Sequence, residues 1–400
     1  MTRFPFARAA FAAVAVTLAV SACSSAGSSG TSGGASGGSG NSSQTVVLGV
    51  IDDVSGAAAA IGSLGKKSAE LAVNEINKQM AGKGPQIKMV FYDNKGDPAE
   101  TARLTTRLIT QDKAVAISCC ASSSAAAAAA AVAGAQKVPM LTSTVVQNLT
   151  ASTQPWYGYL FRTIPANDSL AQSNVDFVKA KGWKKVGLSV SSLSYGKEAI
   201  PYFQKSIGEA GGSIVGTTNL DPAITDASIQ AADLLKGSPD VIMTWDYPGP
   251  TAQLVKALRA SGSAVPVVSN WSAINVTMTT VAGASVKNLF SHDDAVSDKA
   301  AVKTFADQWR AAYNEDAPIN NFGIYGYNIV QVFFAALTSA KNPNAAGVKD
   351  ALVQLNCVKT VLGKDDACIT FGKDNYEGAK GNNFLVFKTL QNSSWVAVAS

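Results

Sequence analysis

Short runs of apolar residues, many of them β-branched, alternate along residues 45–163 with longer segments in which apolar positions recur every three or four residues. The short runs predict buried strands, and the recurrence predicts amphipathic helices. After the run TVVLGVI, for example, Ala69, Val73 and Ile76 fall on one face of a helix. The strands predicted in this part of the chain are 45–51, 87–93, 114–119 and 138–143.

The same alternation restarts after Arg162. Strands are predicted at 184–190, at SIVGTTN, at 241–246 and at 265–270, with helices between them. Two series of strand–helix units predict an α/β protein with two lobes, each built around a doubly wound parallel sheet. Helical patterns follow from Lys299, and two strand-like runs finish the chain. Since ligands of such sheets bind beyond the carboxyl ends of the strands, the segments after each strand are the candidates for a site.

The N-terminal residues have the pattern of an export signal. Arg3 and Arg8 flank the start of an apolar run that is shorter than the ~20 residues needed to span a bilayer. The segment VSAC resembles a bacterial lipobox, which predicts a signal peptide over 1–22 and a lipidated Cys23 that anchors the chain to the membrane. The alternative is an ordinary cleaved signal with an incidental cysteine. Ser, Gly, Ala and Thr dominate the following residues and predict a flexible linker over 23–44.

Charge and composition exclude several classes of function. The formal charge of +5 falls to +3 without Arg3 and Arg8, so no nucleic-acid partner is expected. His292 is the single histidine; Asp293 and Asp294 follow it, but adjacent acids on a loop are usually solvated, and we expect no metal site. The segment GSLGKKS departs from a phosphate loop, and no G-x-S-x-G motif occurs. We therefore expect neither a cofactor nor an enzymatic activity.

Four further cysteines form two pairs in the sequence. Cys357 and Cys368 lie eleven residues apart, and outside the cytosol we expect them to form a disulfide. By the chain-entropy argument such a loop stabilises the fold by about 3 kcal/mol. Cys119 and Cys120 leave two interpretations open: a vicinal disulfide that places a rigid apolar plate in the wall of the cleft, or two small buried thiols.

Serines and threonines follow two neighbouring strands of the predicted first sheet. Ser122 and Ser123 come after the strand 114–119 and precede an alanine-rich segment, which predicts a helix beginning at the sheet edge. A helix start offers free N–H groups and a partial positive charge, which suit a carboxylate. Ser143 and Thr144 follow the next strand and add donors at the same place. The alternative is a capped helix with no ligand.

Aromatic residues follow the strands of the predicted second sheet. Tyr195, Trp245, Tyr247 and Trp271 all lie at or just after predicted strands. Aromatic residues at helical spacing usually belong to a core, but these are predicted to lie in turns at the sheet edge. We expect them to enclose the apolar body of a small ligand.

Several segments together resemble the type I periplasmic-binding-protein family, in particular the branched-chain amino-acid (Leu/Ile/Val) type of ABC-transporter substrate-binding lipoprotein. They are LGVIDDVSGAAAAIG, AELAVNEIN, YDNKGDPAETARLTTRLI, YLFRTIPAND, SYGKEA, FGIYGYNIVQ and ITFGKD. The resemblance implies a clamshell whose two lobes are joined by three crossovers near Thr163, Ser291 and Lys373. The implied lobes are 45–163 plus 292–373 and 164–291 plus 374–400. The family's ligand contacts carry over onto Ser122, Ser143, Thr144, Tyr195 and Tyr247.

The sequence departs from the family pattern at the ammonium-binding position. Members that bind α-amino acids place an acidic residue after the strand that ends near Asn270, and here Trp271 follows instead. Asp246 is a candidate replacement for that acid. We therefore expect a small carboxylate with an apolar or aromatic body, or a related amide, rather than leucine, isoleucine or valine.

The favoured interpretation is a monomeric, extracytoplasmic binding protein that captures a small solute and delivers it to an ABC permease. Its other expected partner is the lipid bilayer, through acylated Cys23. The alternative is a sensor that uses the same clamshell to signal to a membrane receptor. The sequence does not separate these two functions.

Overall fold

The computed structural model describes residues 44–56, 58–283, 286–380, 382–391 and 394–398. The predicted signal peptide, the predicted lipidation site Cys23 and nearly all of the predicted linker lie outside these residues. Within the described part of the chain, no helix combines the length and apolarity needed to cross a bilayer.

Twelve strands and eleven α-helices are described, with three short 3₁₀-helices named η. The first series is β1 (Thr45–Asp52), α1 (Ala59–Met80), β2 (Gln86–Asp93), α2 (Pro98–Thr110), β3 (Ala114–Cys119), α3 (Ser123–Ala135), β4 (Met140–Thr142), η1 (Gln147–Thr150) and β5 (Leu160–Arg162). The second series is α4 (Asn167–Ala180), β6 (Lys185–Ser191), α5 (Ser194–Glu209), β7 (Ser213–Leu220), α6 (Ser228–Lys236), β8 (Val241–Trp245), α7 (Pro248–Ala260), β9 (Val267–Ser269), η2 (Trp271–Ala273), α8 (Val276–Ala282) and β10 (Leu289–Asp293). The remaining elements are α9 (Ala300–Tyr313), α10 (Asn321–Ser339), α11 (Ala345–Val353), η3 (Asn382–Phe384), β11 (Val386–Gln391) and β12 (Ser394–Ala397).

The first sheet has the order β2-β1-β3-β4-β5, and every pairing in it is parallel. Strand β1 lies inside the sheet, between β2 and β3, and is almost entirely buried, because helices cover both faces of a parallel sheet. Strand β4 is only three residues long, shorter than the predicted run over 138–143. The parallel order places the carboxyl ends of β1, β3 and β4 at one edge, where Asp52, Cys119 and Thr142 end their strands.

The second sheet has the order β12-β11-β10-β9-β8-β6-β7. Strands β6 to β10 pair in parallel, as the strand–helix alternation predicts. The last two strands pair antiparallel, β11 with β10 and β12 with β11. Only two residues separate β11 from β12, and a link this short joins antiparallel strands only. The prediction of two α/β lobes with parallel sheets is confirmed, with this antiparallel extension added at one edge.

An ion pair between Arg162 and Glu377 holds two of the segments that run between the two sheets. Arg162, at the end of β5, is fully buried and its Nη1 lies 3.2 Å from Glu377 Oε1. The backbones also pair there, since Arg162 N–H donates to Tyr376 O and Gly378 N–H donates to Arg162 O. A buried charge without a partner costs several kcal/mol, so the two side chains stabilise each other in this position.

Both cysteine pairs come together in the structure. The Cα atoms of Cys357 and Cys368 are 4.7 Å apart, within the range that a disulfide requires, and the two sulfurs are paired. The sulfurs of Cys119 and Cys120 are also paired, and both residues are buried at the end of β3.

Two glycines allow α1 and α10 to pack with their backbones in contact. A Cβ atom on Gly326 would lie 2.1 Å from the carbonyl oxygen of Gly65, and one on Gly65 would lie 1.8 Å from the hydroxyl of Tyr325. Real Cβ atoms do not approach other atoms so closely, so any larger residue must push the helices apart. The close approach brings Tyr325 over the carboxyl end of β1.

We expect Gly326→Ala to lower the free energy of unfolding by about 2 kcal/mol, because the added methyl overpacks the α1–α10 contact. Urea unfolding followed by circular dichroism measures this change. Gly208→Ala on α5 is the control, since nothing lies within 4 Å of its Cβ position. There the alanine should be neutral or slightly stabilising, as helix propensity favours it. Equal effects of the two substitutions would contradict the packing argument.

Candidate functional site

A small cavity of about 50 Å³ lies between the carboxyl edges of the two sheets. Its place beyond the strand ends, with apolar residues and a few polar groups in its wall, is typical of a small-molecule site. Seven residues proposed from the sequence line it: Ser123, Ser143, Thr144, Tyr195, Asp246, Tyr247 and Trp271. The other lining residues are Ile61, Ala121, Val145, Asn270, Ser272, Asn321, Phe322 and Tyr325.

One wall of the cavity is the start of α3. The helix begins at Ser123, and its N-cap residue Ser122 makes no side-chain hydrogen bond to the helix N–H groups among the described atoms. The first turn carries no acidic residue, so nothing on the helix neutralises its positive end. Ser123 lines the cavity and can donate both its backbone N–H and its hydroxyl. This wall therefore suits an anionic group of a ligand.

The segment after β4 extends the same wall. Ser143 and Thr144 line the cavity immediately beyond Thr142, the last residue of the strand. The hydroxyl of Thr142 lies 3.0 Å from that of Thr144 and accepts the Thr144 N–H at 3.2 Å. These contacts hold the turn in place and keep its hydroxyl groups at the sheet edge.

The opposite wall contains a buried carboxylate with a free oxygen. Asp246 follows β8 and is 1% exposed. Its Oδ1 accepts the backbone N–H of Tyr247 at 2.7 Å, whereas Oδ2 has no hydrogen-bond partner among the described residues. Burial raises the pKa of Asp246 to about 8, against an ordinary value of 3.8, although the Tyr247 N–H and the Ser191 side chain both stabilise the ionised form and oppose the shift. Among the described residues that line the cavity there is no lysine, arginine or histidine to balance this acid.

Aromatic rings and amides surround Asp246. The rings of Tyr195 and Tyr247 pack edge to face with centroids 5.4 Å apart. Asn270 Nδ2 donates to the Tyr195 hydroxyl at 2.6 Å, which fixes the tyrosine against the end of β9. Trp271 opens η2 directly after that strand and lines the cavity. Together these side chains form a mixed apolar and polar wall.

Three sequence-based proposals do not place a side chain in the cavity wall. Ser122 and Cys120 are buried beside the lining residues Ala121 and Ser123 but are not among them. Ser122 is linked to the wall through Tyr247: burial raises the pKa of the Tyr247 hydroxyl, and a hydrogen bond between this hydroxyl and the Ser122 side chain opposes the rise. Trp245 is not at the cavity: it ends β8 in the core, where it packs against Phe203 at 5.0 Å.

The expectation that Asp293 and Asp294 are solvated is wrong, since both are fully buried. Asp293 Oδ2 accepts from Lys388 Nζ at 2.6 Å, and Asp294 Oδ2 accepts from Asn321 Nδ2 at 2.9 Å. The two acids lie at the end of β10, where the surrounding segments supply these partners. In the described part of the chain, no three His, Cys, Asp or Glu side chains converge as metal ligands.

His292 is buried in the same region. Its Nδ1 lies 2.7 Å from Asn174 Oδ1, and its ring packs edge to face against Trp271 at 5.2 Å. Burial lowers the pKa of His292 to about 3, so the imidazole is neutral near pH 7. It supports Trp271 from behind the cavity wall.

Some of the lining residues do not follow a strand, and most of these lie on α10. Asn321, Phe322 and Tyr325 begin this helix, far along the chain from either series of strands. Tyr325 donates its hydroxyl hydrogen to Asp52 Oδ2 at the end of β1. The only signal was the segment FGIYGYNIVQ, which carried part of the family resemblance without pointing to a site.

Comparisons with known proteins agree with this architecture. A sequence profile described as "Periplasmic binding protein" matches residues 45–375. A Leu/Ile/Val-binding protein homolog of Brucella melitensis is 25% identical, over 74% of this chain and 80% of the relative.

Two solved structures are similar over most of both chains. One is the branched-chain amino acid transporter substrate-binding protein LivJ of Streptococcus pneumoniae in complex with isoleucine, with a TM-score of 0.78 and 28% identity, covering 88% of this chain and 99% of that one. The other is a solute-binding protein of an ABC transporter from Rhodopseudomonas palustris in complex with benzoate, with a TM-score of 0.76 and 18% identity, covering 88% and 95%.

We expect Asp246→Asn to stabilise the ligand-free chain more at pH 8 than at pH 5. Since the pKa of Asp246 is raised in the folded state, the native fold loses stability as the pH rises from about 4 through about 8, and asparagine removes this loss. Thermal melting at the two pH values measures the difference. Asp307→Asn, at an exposed position on α9, is the control and should not show it. An equal shift at both pH values for Asp246→Asn would contradict the burial argument.

Proposed function

This chain belongs to the periplasmic binding protein family, with the type I fold, and we propose on that basis that it captures a small carboxylate-bearing solute between its two sheets and delivers it to an ABC permease. The observation that carries the proposal is the cavity itself. The donors at the start of α3 and after β4 line the same cavity as Asp246, whose Oδ2 has no partner among the described residues, and as aromatic side chains that follow β8 and β9. The ligand leaves unchanged, so no catalytic group is assigned.

The ligand's carboxylate would bind at the wall formed by Ser123, Ser143 and Thr144. A helix start and two hydroxyl-bearing turns favour an anion there through N–H and O–H donors. In a cavity closed to water these hydrogen bonds gain strength, because the local dielectric constant is low.

The same ligand would carry an amino group for Asp246. A carboxylate that is buried with one free oxygen is costly unless a cation approaches it. The lining residues supply no cation, so we assign that role to the ligand. Ile61, Val145 and Phe322 leave an apolar surface for a short aliphatic or aromatic body. An amino-acid-like zwitterion therefore fits this cavity better than a plain aromatic acid, with Asp246 replacing the acid that Trp271 displaces. This proposal departs from the expectation drawn from the sequence, which disfavoured leucine, isoleucine and valine because Trp271 stands at the ammonium-binding position.

The export signal over 1–22, the lipidated Cys23 and the linker over 23–44 complete the proposal. They would hold a monomeric domain outside the membrane, beside the permease that receives the solute. Of the similar proteins named above, one is the substrate-binding protein of a branched-chain amino acid transporter and the other is the solute-binding protein of an ABC transporter. This similarity supports a role in transport for this chain.

Isothermal titration calorimetry with L-isoleucine and with benzoate tests the ligand class. We expect L-isoleucine to bind, and Asp246→Asn to weaken it by roughly tenfold or more through loss of a charged hydrogen bond. Ser123→Ala should weaken binding by a smaller factor, since one hydroxyl is lost while the helix start remains. Asp307→Asn serves again as the control. If benzoate binds tightly and Asp246→Asn leaves that binding unchanged or improves it, the proposal of a zwitterionic ligand is wrong. If neither L-isoleucine nor benzoate binds, the proposed ligand class is wrong.

Binding of L-isoleucine near pH 7 should also release protons. The ammonium group favours the ionised form of Asp246 and lowers its pKa from about 8, so bound protons leave the carboxyl group. Calorimetry at pH 7 in phosphate and in Tris, which differ in ionisation enthalpy, measures the number released. Asp246→Asn should bring the number close to zero. A native chain that releases no protons would rule out Asp246 as the partner of the ammonium group.

A further inference from the structure

Glu198 lies outside the cavity and joins the two sheets. It belongs to α5, which connects β6 and β7 of the second sheet. Its partners Gln147 and Asn148 begin η1, which lies between β4 and β5 of the first sheet. The carboxylate is half-buried, and both of its oxygens are engaged across this boundary.

The contact is bidentate. Glu198 Oε2 accepts the backbone N–H of Gln147 at 3.0 Å, and Oε1 accepts the backbone N–H of Asn148 at 3.0 Å. Oε2 also accepts from Asn167 Nδ2 at 2.8 Å, which orients the carboxylate from the start of α4. Hydrogen bonds to an ionised acceptor are stronger than neutral ones. The Val146 side chain cannot cap η1, so Glu198 satisfies these two N–H groups from the opposite sheet.

Other side chains hold η1 without crossing to the second sheet. Glu377 Oε1 accepts from Gln147 Nε2 and from the Thr150 hydroxyl, both at 2.8 Å, and it pairs with Arg162. Arg162 and Glu377 lie on the segments that join the sheets, so their contacts can survive a change in the distance between sheet edges. The two backbone hydrogen bonds to Glu198 would break if the sheets separated. Their donors lie on η1, beside the first sheet, and their acceptor lies on α5, beside the second sheet.

The hydrogen bonds from the Gln147 and Asn148 N–H groups to Glu198 form a bridge between the two sheets, and this Glu198 bridge is coupled to the cavity at both ends. Tyr195 lines the cavity and lies one helical turn before Glu198 on α5. Asn167 Nδ2, which bonds Glu198, also lies 3.3 Å from the Tyr195 carbonyl oxygen. On the other side, Val145 lines the cavity two residues before Gln147. Separation of the sheets at Glu198 would therefore move residues on both walls.

We propose that Glu198 is a positioning residue that holds the two sheets in the closed arrangement and so slows the escape of ligand. The proposal rests on the proposed function, since it assumes that a solute occupies the cavity. Glu198 touches no part of the cavity, so its effect passes through Tyr195 and Val145. It regulates the lifetime of the bound state and leaves the choice of ligand to the lining residues.

Stopped-flow tryptophan fluorescence with L-isoleucine as the probe tests this on the full-length chain. Glu198→Gln should raise the dissociation rate about tenfold and leave the association rate within about twofold, because the proposed role of the Glu198 hydrogen bonds is to oppose ligand escape and not to assist ligand entry. Glu209→Gln, at an exposed position on the same helix, is the matched control and should match the native chain. An unchanged dissociation rate in Glu198→Gln would overturn the proposal. The proposal would also be wrong if Glu198→Gln lost affinity because association became slower, since slower association indicates that the cavity itself is altered.

Hydrogen–deuterium exchange separates this proposal from the proposed function. In Glu198→Gln the amides of Gln147 and Asn148 should exchange at least about tenfold faster than in the native chain, whereas those of α2 should not change. If L-isoleucine does not bind the native chain, the ligand class fails and exchange alone decides about Glu198. Unchanged protection at Gln147 and Asn148 would then overturn the bridge.

Discussion

A buried polar group must find a partner, and at the edges of these two sheets that requirement shapes the molecule. Asp52 ends the interior strand β1 and is almost fully buried. It accepts hydrogen bonds from the N–H groups of Asp53 and Ala121, at 3.0 and 2.8 Å, and from the Tyr325 hydroxyl. These bonds tie β1, the turn into α3 and α10 into one wall. Burial still raises the pKa of Asp52 to about 6, which shows how costly this position is for a charge.

Asp246 occupies a comparable position at the end of β8 in the second sheet but lacks comparable partners. Asp246 lines the cavity, one of its oxygens has no partner among the described residues, and its carboxyl pKa rises further, to about 8. One buried acid therefore has partners on both oxygens within the protein, and the other has one oxygen without a partner among the described residues. In proteins, a binding site is often less stable than its surroundings in the absence of ligand, and ligand binding offsets that lower stability. The contrast between the two acids is the physical basis for assigning recognition to the second wall.

Much of this arrangement could be predicted from the chain. Alternating strands and helices predicted two parallel sheets, the family resemblance is confirmed, and strand ends led to Ser123, Thr144 and Asp246. The prediction for Trp245 was wrong because a residue that ends a buried strand can turn into the core as readily as towards the edge. The contribution of α10 was missed because its contact with β1 joins residues 273 positions apart, and local patterns carry no information about such pairings.

The backbone contact between Gly65 and Gly326 has a consequence for how the protein can diverge. The face of the binding chamber that includes Tyr325 is set by main-chain geometry, which tolerates few substitutions. Asp246 and Trp271, on the facing wall, are outside this helix contact, so substitutions at these two positions do not disturb it. If the cavity binds a solute as proposed, a change of specificity is structurally easier through side-chain replacements around Asp246 and Trp271 than through substitutions at the α1–α10 contact.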